Sequence, residues 1–302
     1  MTRLLRRDAR LDFALATDSE FKCRACAQCL GRGCIGQLPG MGGVWQSRNF
    51  LLNCAAWDAL PADDVPVLPE HLGIAPVTGA VQNIGYANEA DFYLPYFSAA
   101  KKEGIALCVG DGAPDEKLML GLSAVRELNA SAYFFLKPYP DEKLFERLEW
   151  VRGAAVAVGM DIDAYNIVTM RNQVSLERKT EAQLSEFRHK SGLPLIIKGV
   201  FTPDDIELCR RVLPDIIVVS NHGGRVETAE CSTAEFLAAN SARLTDVCGE
   251  LWVDGGIRKT RDVQAALTLG VKKCIAARPF IAPLIRGGEP AMQDAIRAFF
   301  NY

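Results

Sequence analysis

The chain has 302 residues, 49% of them hydrophobic, and a formal net charge of −3 at pH 7. That is enough for one large domain or two ordinary ones with sizeable cores. Its Lys and Arg residues are scattered, which argues against nucleic-acid or polyanion binding, and no apolar run reaches the roughly 18–20 residues needed to span a bilayer.

The N-terminus, Met1 to Arg10, is basic but has no apolar core behind it, so it does not read as a signal peptide. A soluble cytoplasmic protein is the expectation. Residues 1–71 do not fit the pattern that follows and are read as an N-terminal extension. They hold Cys23-x2-Cys26-x2-Cys29-x4-Cys34. Thiolates this closely spaced can wrap one metal centre. The spacing is close to that of iron–sulfur runs, a tetrahedral zinc competes, and a thiol-rich segment without metal stays open. The turn Pro39-Gly-Met-Gly-Gly43 is expected to cover the site of the next domain. The other cysteines are dispersed, with Cys108 and Cys274 inside apolar runs where Cys acts as a small hydrophobe. A long chain without a secretion signal is not a disulfide scaffold.

From about residue 72 short apolar runs alternate with amphipathic segments. The runs are 73–77, 105–109, 132–136, 154–158, 194–198, 215–219, 250–254 and 273–277. Continuous apolar runs suit strands covered on both faces. Between them, Thr202-Pro203-Asp204-Asp205 opens a helix with a cap, a first-position proline and acids in the first turn. Segment 259–270 reads as a helix closed by Gly270, and segment 88–103 as one ending before Gly104. Eight strands alternating with helices over roughly 230 residues predict a (β/α)8 TIM barrel, with a doubly wound open sheet as the competitor. A longer irregular stretch, from Asp161 to about Ser175, follows the fourth strand.

Catalytic groups of such a barrel sit at the C-terminal strand ends. Here the fifth run ends in Lys198-Gly199, the sixth in Ser220-Asn-His222-Gly-Gly-Arg225, the seventh in Asp254-Gly255-Gly256-Ile-Arg258 and the eighth in Ala277-Arg278. His222 and Arg225 place a titratable imidazole three residues from a guanidinium, with glycines between them that allow close ligand approach. A base and an anion clamp on one strand end point to a small anionic substrate; a histidine-containing loop with a structural arginine is the other reading. Gly255 and Gly256, with Arg258 and Arg278, suggest a phosphate site near helix N-termini, against a glycine-rich turn with surface arginines.

These four motifs, in this order, resemble the FMN-dependent 2-hydroxy-acid oxidase/dehydrogenase family, most clearly over 194–285, less so over 72–160, and not before residue 71. The resemblance implies an FMN-binding barrel over 72–302. His222 resembles the base that removes a substrate proton, and Arg225 the arginine that pairs with the substrate carboxylate. Lys198 resembles the lysine beside the flavin pyrimidine edge, and Ser220 a flavin-contacting hydroxyl. Asp254 resembles the aspartate expected to orient His222 or nearby donors. Gly255, Gly256, Arg258, Ala277 and Arg278 resemble the FMN phosphate cradle. Ala75-Pro76-Val77-Thr78 resembles the segment lying against the flavin ring. Departures accompany it. Lys137 stands where the family carries a substrate-binding tyrosine, Gly159 where it carries threonine, and Ala277 where it carries glycine. An N-terminal tyrosine has no counterpart, and the family's second arginine has only Arg171 as a candidate. Lys137 is either a charged donor favouring a more acidic substrate or a salt-bridged surface lysine. The expected activity is oxidation of a small 2-hydroxy acid by a homo-oligomer, with oxygen, a quinone or an iron–sulfur centre as electron acceptor. An FMN-dependent isomerase of the type 2 isopentenyl diphosphate isomerase kind and a non-catalytic flavin- or metal-binding sensor are the alternatives.

Overall fold

The computed structural model describes residues 48–167, 174–226 and 228–300. Cys23, Cys26, Cys29, Cys34, the turn at 39–43 and Arg171 lie outside the described residues. The apolar runs form eight parallel strands: β1 (Leu72–Ile74), β2 (Cys108–Gly110), β3 (Ala132–Leu136), β4 (Ala155–Asp161), β5 (Leu195–Val200), β6 (Ile216–Val219), β7 (Glu250–Val253) and β8 (Lys273–Ala276). Their order is β1-β8-β7-β6-β5-β4-β3-β2. A bridge from Gly73 to Ala106 joins the two ends, with Ile74 N–H donating to Ala106 O and Ala106 N–H to Leu72 O, each at 3.0 Å. The ring is therefore closed into the expected (β/α)8 barrel, and the doubly wound sheet is ruled out.

A helix follows every strand, from Ala90–Lys102 after β1 to Arg278–Arg297 after β8. The cap at Thr202 is present: its hydroxyl accepts from Asp205 N–H, and helix Pro203–Val212 starts there. Thr180 with Gln183 and Ser232 with Glu235 form the same reciprocal box, so three helices start at a defined residue on the rim.

Strand bounds differ from expectation at three places. β1 stops at Ile74 because Pro76 has no N–H to continue a ladder. β2 starts late, at Cys108, with Ala106 in an isolated bridge. β4 runs on to Asp161, pairing Met160 with Ile197 and Asp161 with Lys198.

Two apolar layers result. Cys108, Phe135, Ala157, Ile196, Val218, Trp252 and Ile275 fill the barrel interior, and a larger cluster fills the space between strands and helices. Side chains alternate along a strand. The residues two positions beyond these interior groups therefore share the inner face and arrive at the C-terminal rim. They are Lys137 after Phe135, Lys198 after Ile196, Ser220 after Val218, Asp254 after Trp252 and Ala277 after Ile275. Asp161 reaches the rim the same way through Ala157 and Gly159. A Cβ on Gly159 would lie 2.8 Å from the Phe135 ring, so the large interior phenylalanine requires glycine beside it.

Helix Arg48–Ala56 lies against the rim at the β6 and β7 loops. Asn53 Nδ2 donates to Asn221 Oδ1 (2.8 Å), Asn53 Oδ1 accepts from Thr233 N–H (2.9 Å), and Trp57 Nε1 donates to Gly255 O (2.8 Å). No helix among the described residues is long and apolar enough to cross a membrane.

Candidate active site

The C-terminal rim encloses a cavity of about 430 Å³, within the range of small-molecule and cofactor sites. It is lined by Ala75, Pro76, Val77 and Thr78 after β1, Lys137 after β3, Asp161 and Lys198 from β4 and β5, and His222 and Arg225 after β6. Asp254, Gly255, Gly256 and Arg258 after β7, Ala277 and Arg278 after β8, and Asp111 and Lys117 after β2 also line it. Of these, all but Asp161, Asp111 and Lys117 were singled out from sequence, and they share one wall system. Ser220 does not line it. Fully buried, it sits behind Lys198, whose Nζ it accepts at 3.1 Å.

Asp161 and Asp254 interlock with Lys137 and Lys198 at the floor. Lys137 Nζ lies 2.5 Å from Asp161 Oδ2, and Lys198 Nζ lies 3.3 Å from Asp161 Oδ1 and 3.4 Å from Asp254 Oδ2. Burial alone would raise the Asp161 carboxyl, but Lys137, Lys198 and His222 outweigh it and hold it well below the ordinary range. Burial likewise works against the Lys198 ammonium, and Asp161, Asp254 and Asp163 reverse the effect and raise it. Burial pulls the Arg225 guanidinium down to about 10, which leaves it charged at neutral pH. Asp161, Asp163 and His222 bring three possible ligand atoms within 4.8 Å of one another. Lys137 and Lys198 already supply the positive charge there, so the trio reads as an ion-pair network.

Asp161 carries a pH dependence. Its folded carboxyl titrates below its unfolded value, so its contribution to stability is present above about pH 4 and is lost as pH falls through the folded value. Chemical unfolding from pH 7 down to pH 3 is expected to show a steeper stability loss for the native chain than for Asp161→Asn. Equal slopes would dismiss this carboxylate as a source of acid sensitivity.

His222 is held from both sides. Nδ1 is 2.7 Å from Asp163 Oδ2 and Nε2 is 3.2 Å from Lys137 Nζ. An ammonium can only donate, so Nε2 presents its lone pair and Nδ1 carries the hydrogen given to Asp163. The backbone at His222 is left-handed, with φ 53°, a conformation a histidine adopts only when its surroundings impose it. Asn221 helps impose it, its Oδ1 accepting from both Gly224 N–H (2.9 Å) and Asn53 Nδ2. Gly224 and Gly256 are required by the close approach of helix Arg48–Ala56, and Gly223, Gly255 and Gly256 also line the cavity. A Cβ on Gly224 would lie 2.4 Å from Phe50 N, and one on Gly256 1.9 Å from Asn53 O.

Asp254 faces Lys198, one of the nearby donors expected for it, while the carboxylate closest to His222 is Asp163. Lys137 is salt-bridged as one reading held, but buried beside the base, with 7% of its surface exposed. Asp161, Asp163 and Asn53 were not identified from sequence. The inner-face register gives Asp161 a signal, two positions beyond Gly159. Asp163 has already left the strand and carries no signal beyond being acidic.

The cation end lies at β7 and β8. Arg258 donates to Ile257 O at 2.8 Å and to Cys54 Sγ at 3.8 Å, and its buried Nε has no hydrogen-bond partner among the described residues. The Arg278 guanidinium stacks 4.6 Å from the Phe50 ring centroid.

A closed parallel barrel with a charged cavity at its C-terminal rim is the arrangement in which barrel enzymes hold their active sites. Residues 73–300 match the family model described as FMN-dependent dehydrogenase, and the chain belongs to that family. It is 36% identical over 122 residues to 2-hydroxyacid oxidase 2 of Bos taurus, covering 39% of this chain and 33% of the relative. It is 32% identical over 131 residues to L-lactate oxidase of Lactobacillus jensenii, covering 42% and 31%. These alignments span about a third of the length of the curated relatives. Among solved structures, mandelate oxidase with (S)-mandelic acid superposes with a TM-score of 0.68 at 21% identity, covering 98% of this chain and 90% of that one, which supports the fold.

Proposed function

We propose that the protein is an FMN-dependent oxidoreductase that converts a 2-hydroxy acid to the 2-oxo acid. The observation that carries this reading is His222, its Nε2 lone pair facing the cavity wall and its Nδ1 hydrogen given to buried Asp163, three residues from Arg225. The cavity fits the cofactor. Arg258 and Arg278 suit a phosphate at the β7–β8 end, and Lys198 suits an electron-rich ring edge. Arg258 Nε and Asp254 Oδ1 are buried polar atoms without hydrogen-bond partners among the described residues, as expected for groups that await a polar ligand.

FMN, when bound, supplies the acceptor for the two electrons that leave the substrate carbon as a hydride equivalent. The chain's own residues do the rest. Arg225 holds the carboxylate, for which its planar fork is suited. His222 Nε2 accepts the proton, and Asp163 holds the resulting imidazolium through Nδ1. Lys137 sits within reach of any oxygen that approaches the base, and Lys198 favours negative charge on the ring edge beside it.

The purified protein is expected to be yellow and to bleach when 2-hydroxy acids are added anaerobically. A colourless protein that takes up no FMN would refute the reading. From sequence alone we also propose Cys23, Cys26, Cys29 and Cys34 as a metal site for an iron–sulfur cluster or zinc, which metal analysis of anaerobically prepared protein tests.

A further inference from the structure

The cavity has a further cation that this chemistry leaves unused. Lys117, in the first turn of helix Glu116–Glu127 after β2, lines the cavity and is 8% exposed. Its stem runs past two glycines. A Cβ on Gly112 would lie 3.1 Å from Lys117 Cδ, and one on Gly79 would lie 3.5 Å from Nζ.

The ammonium donates to Gln82 Oε1 at 2.8 Å, a neutral acceptor. Glu89, the acid that acts on it, is engaged elsewhere. Its oxygens accept Gly79 N–H (2.9 Å), Val81 N–H (3.2 Å) and Tyr93 Oη–H (2.7 Å). Asp111, also in the wall, is held by Arg147 and by Gly112 N–H. Lys137 and Lys198, by contrast, have carboxylates at 2.5 and 3.3 Å. A largely buried ammonium with a neutral partner is unfavourable unless an anion joins it.

Position adds the second half. In the closed ring β2 stands opposite β6, so the element bearing Lys117 faces the one bearing His222 and Arg225 across a single cavity. We infer that the substrate is a 2-hydroxy acid with a second anionic group at its far end. Arg225 holds the 2-hydroxy carboxylate and Lys117 holds the distal anion. This rests on the hydroxy-acid reading above and names the substrate class within it. The distal anion is a carboxylate or a phosphate ester, since an ammonium binds either as a point charge.

The test is anaerobic flavin reduction in the holoenzyme, followed by stopped flow. Lactate serves as the monoanion, malate and 2-hydroxyglutarate as dicarboxylates, and 3-phosphoglycerate as the phosphate ester, each in both enantiomers. A dianion is expected to exceed lactate in reduction rate over Kd by about tenfold or more, and Lys117→Met to erase most of that ratio while Lys117→Arg keeps part of it. Leading dicarboxylates or a leading phosphate ester identify the distal group, and either result supports the inference. A ratio unchanged in Lys117→Met, or lactate preferred by the native enzyme, overturns it.

Equilibrium binding of succinate against propionate, read from the flavin spectrum or by calorimetry, separates the two claims. Succinate bound more tightly through Lys117 without any hydroxy acid reducing the flavin would keep the anion site and remove the redox reading. Lactate oxidation with no succinate preference would do the reverse.

Discussion

Replacing His222 with Gln is expected to slow anaerobic flavin reduction by 2-hydroxy acids about 10³-fold, the scale of a lost general base. The glutamine can fill the space and accept a hydrogen bond from Lys137, but it cannot accept the proton. Flavin binding should persist, because the hydrogen-bond and ion-pair partners of this side chain among the described residues are Asp161, Asp163 and Lys137, away from the β7–β8 end. The companion variant Asp163→Asn separates support of the base from mere packing. It keeps the shape at the 2.7 Å contact and removes the charge that stabilises an imidazolium. Its reduction rate is expected to fall about 10–100-fold. A native reduction rate in this variant would make Asp163 a packing residue. Full activity in His222→Gln would remove the mechanism altogether.

Arg147→Met is expected to destabilise the folded protein by about 3–5 kcal/mol, the cost of orphaning a buried partner. Arg147 is fully buried in helix Asp141–Val151. Its guanidinium pairs with Asp111 at 2.5 Å, bonds Asp115 and packs 4.7 Å from the Tyr139 ring centroid. Asp111 in turn accepts Gly112 N–H at 2.7 Å and Lys137 N–H at 3.1 Å, so the pair ties the ends of β2 and β3 together beneath the cavity. Burial pushes the Asp111 carboxyl up to about 6 even with Arg147 beside it. An acid whose folded value is raised binds more protons folded than unfolded, so its contribution falls as pH rises. Without Arg147 that penalty grows. Urea unfolding should therefore show a larger deficit for Arg147→Met at pH 8 than at pH 5. A variant within about 1 kcal/mol of the native protein at both pH values would show that Asp111 finds other compensation.

The sequence alone marked eight apolar runs alternating with amphipathic segments, punctuated by capped helices such as that opening at Thr202, which suit strands covered on both faces. Closure into a barrel rather than a doubly wound sheet was decided by the bridge from Gly73 to Ala106. The sequence also marked most of the rim chemistry. Lys198, Ser220, His222, Arg225, Asp254, Arg258 and Arg278 each stand at the end of an apolar run or within a few residues of it, where a charge or hydroxyl is out of place unless it emerges at an open end. Only the tertiary structure decided which of these groups meet. Partner choice depends on strands far apart in the chain, so Asp163 rather than Asp254 receives His222, and Ser220 serves Lys198 from behind. Gly224 and Gly256 show the same limit. Their need is set by Phe50 and Asn53, some 170–200 residues earlier in the chain, and a contact across that distance leaves no periodic trace. Lys117 had no sequence signal at all, because a lysine in the first turn of an amphipathic helix looks solvated until the closed ring turns it toward the mouth.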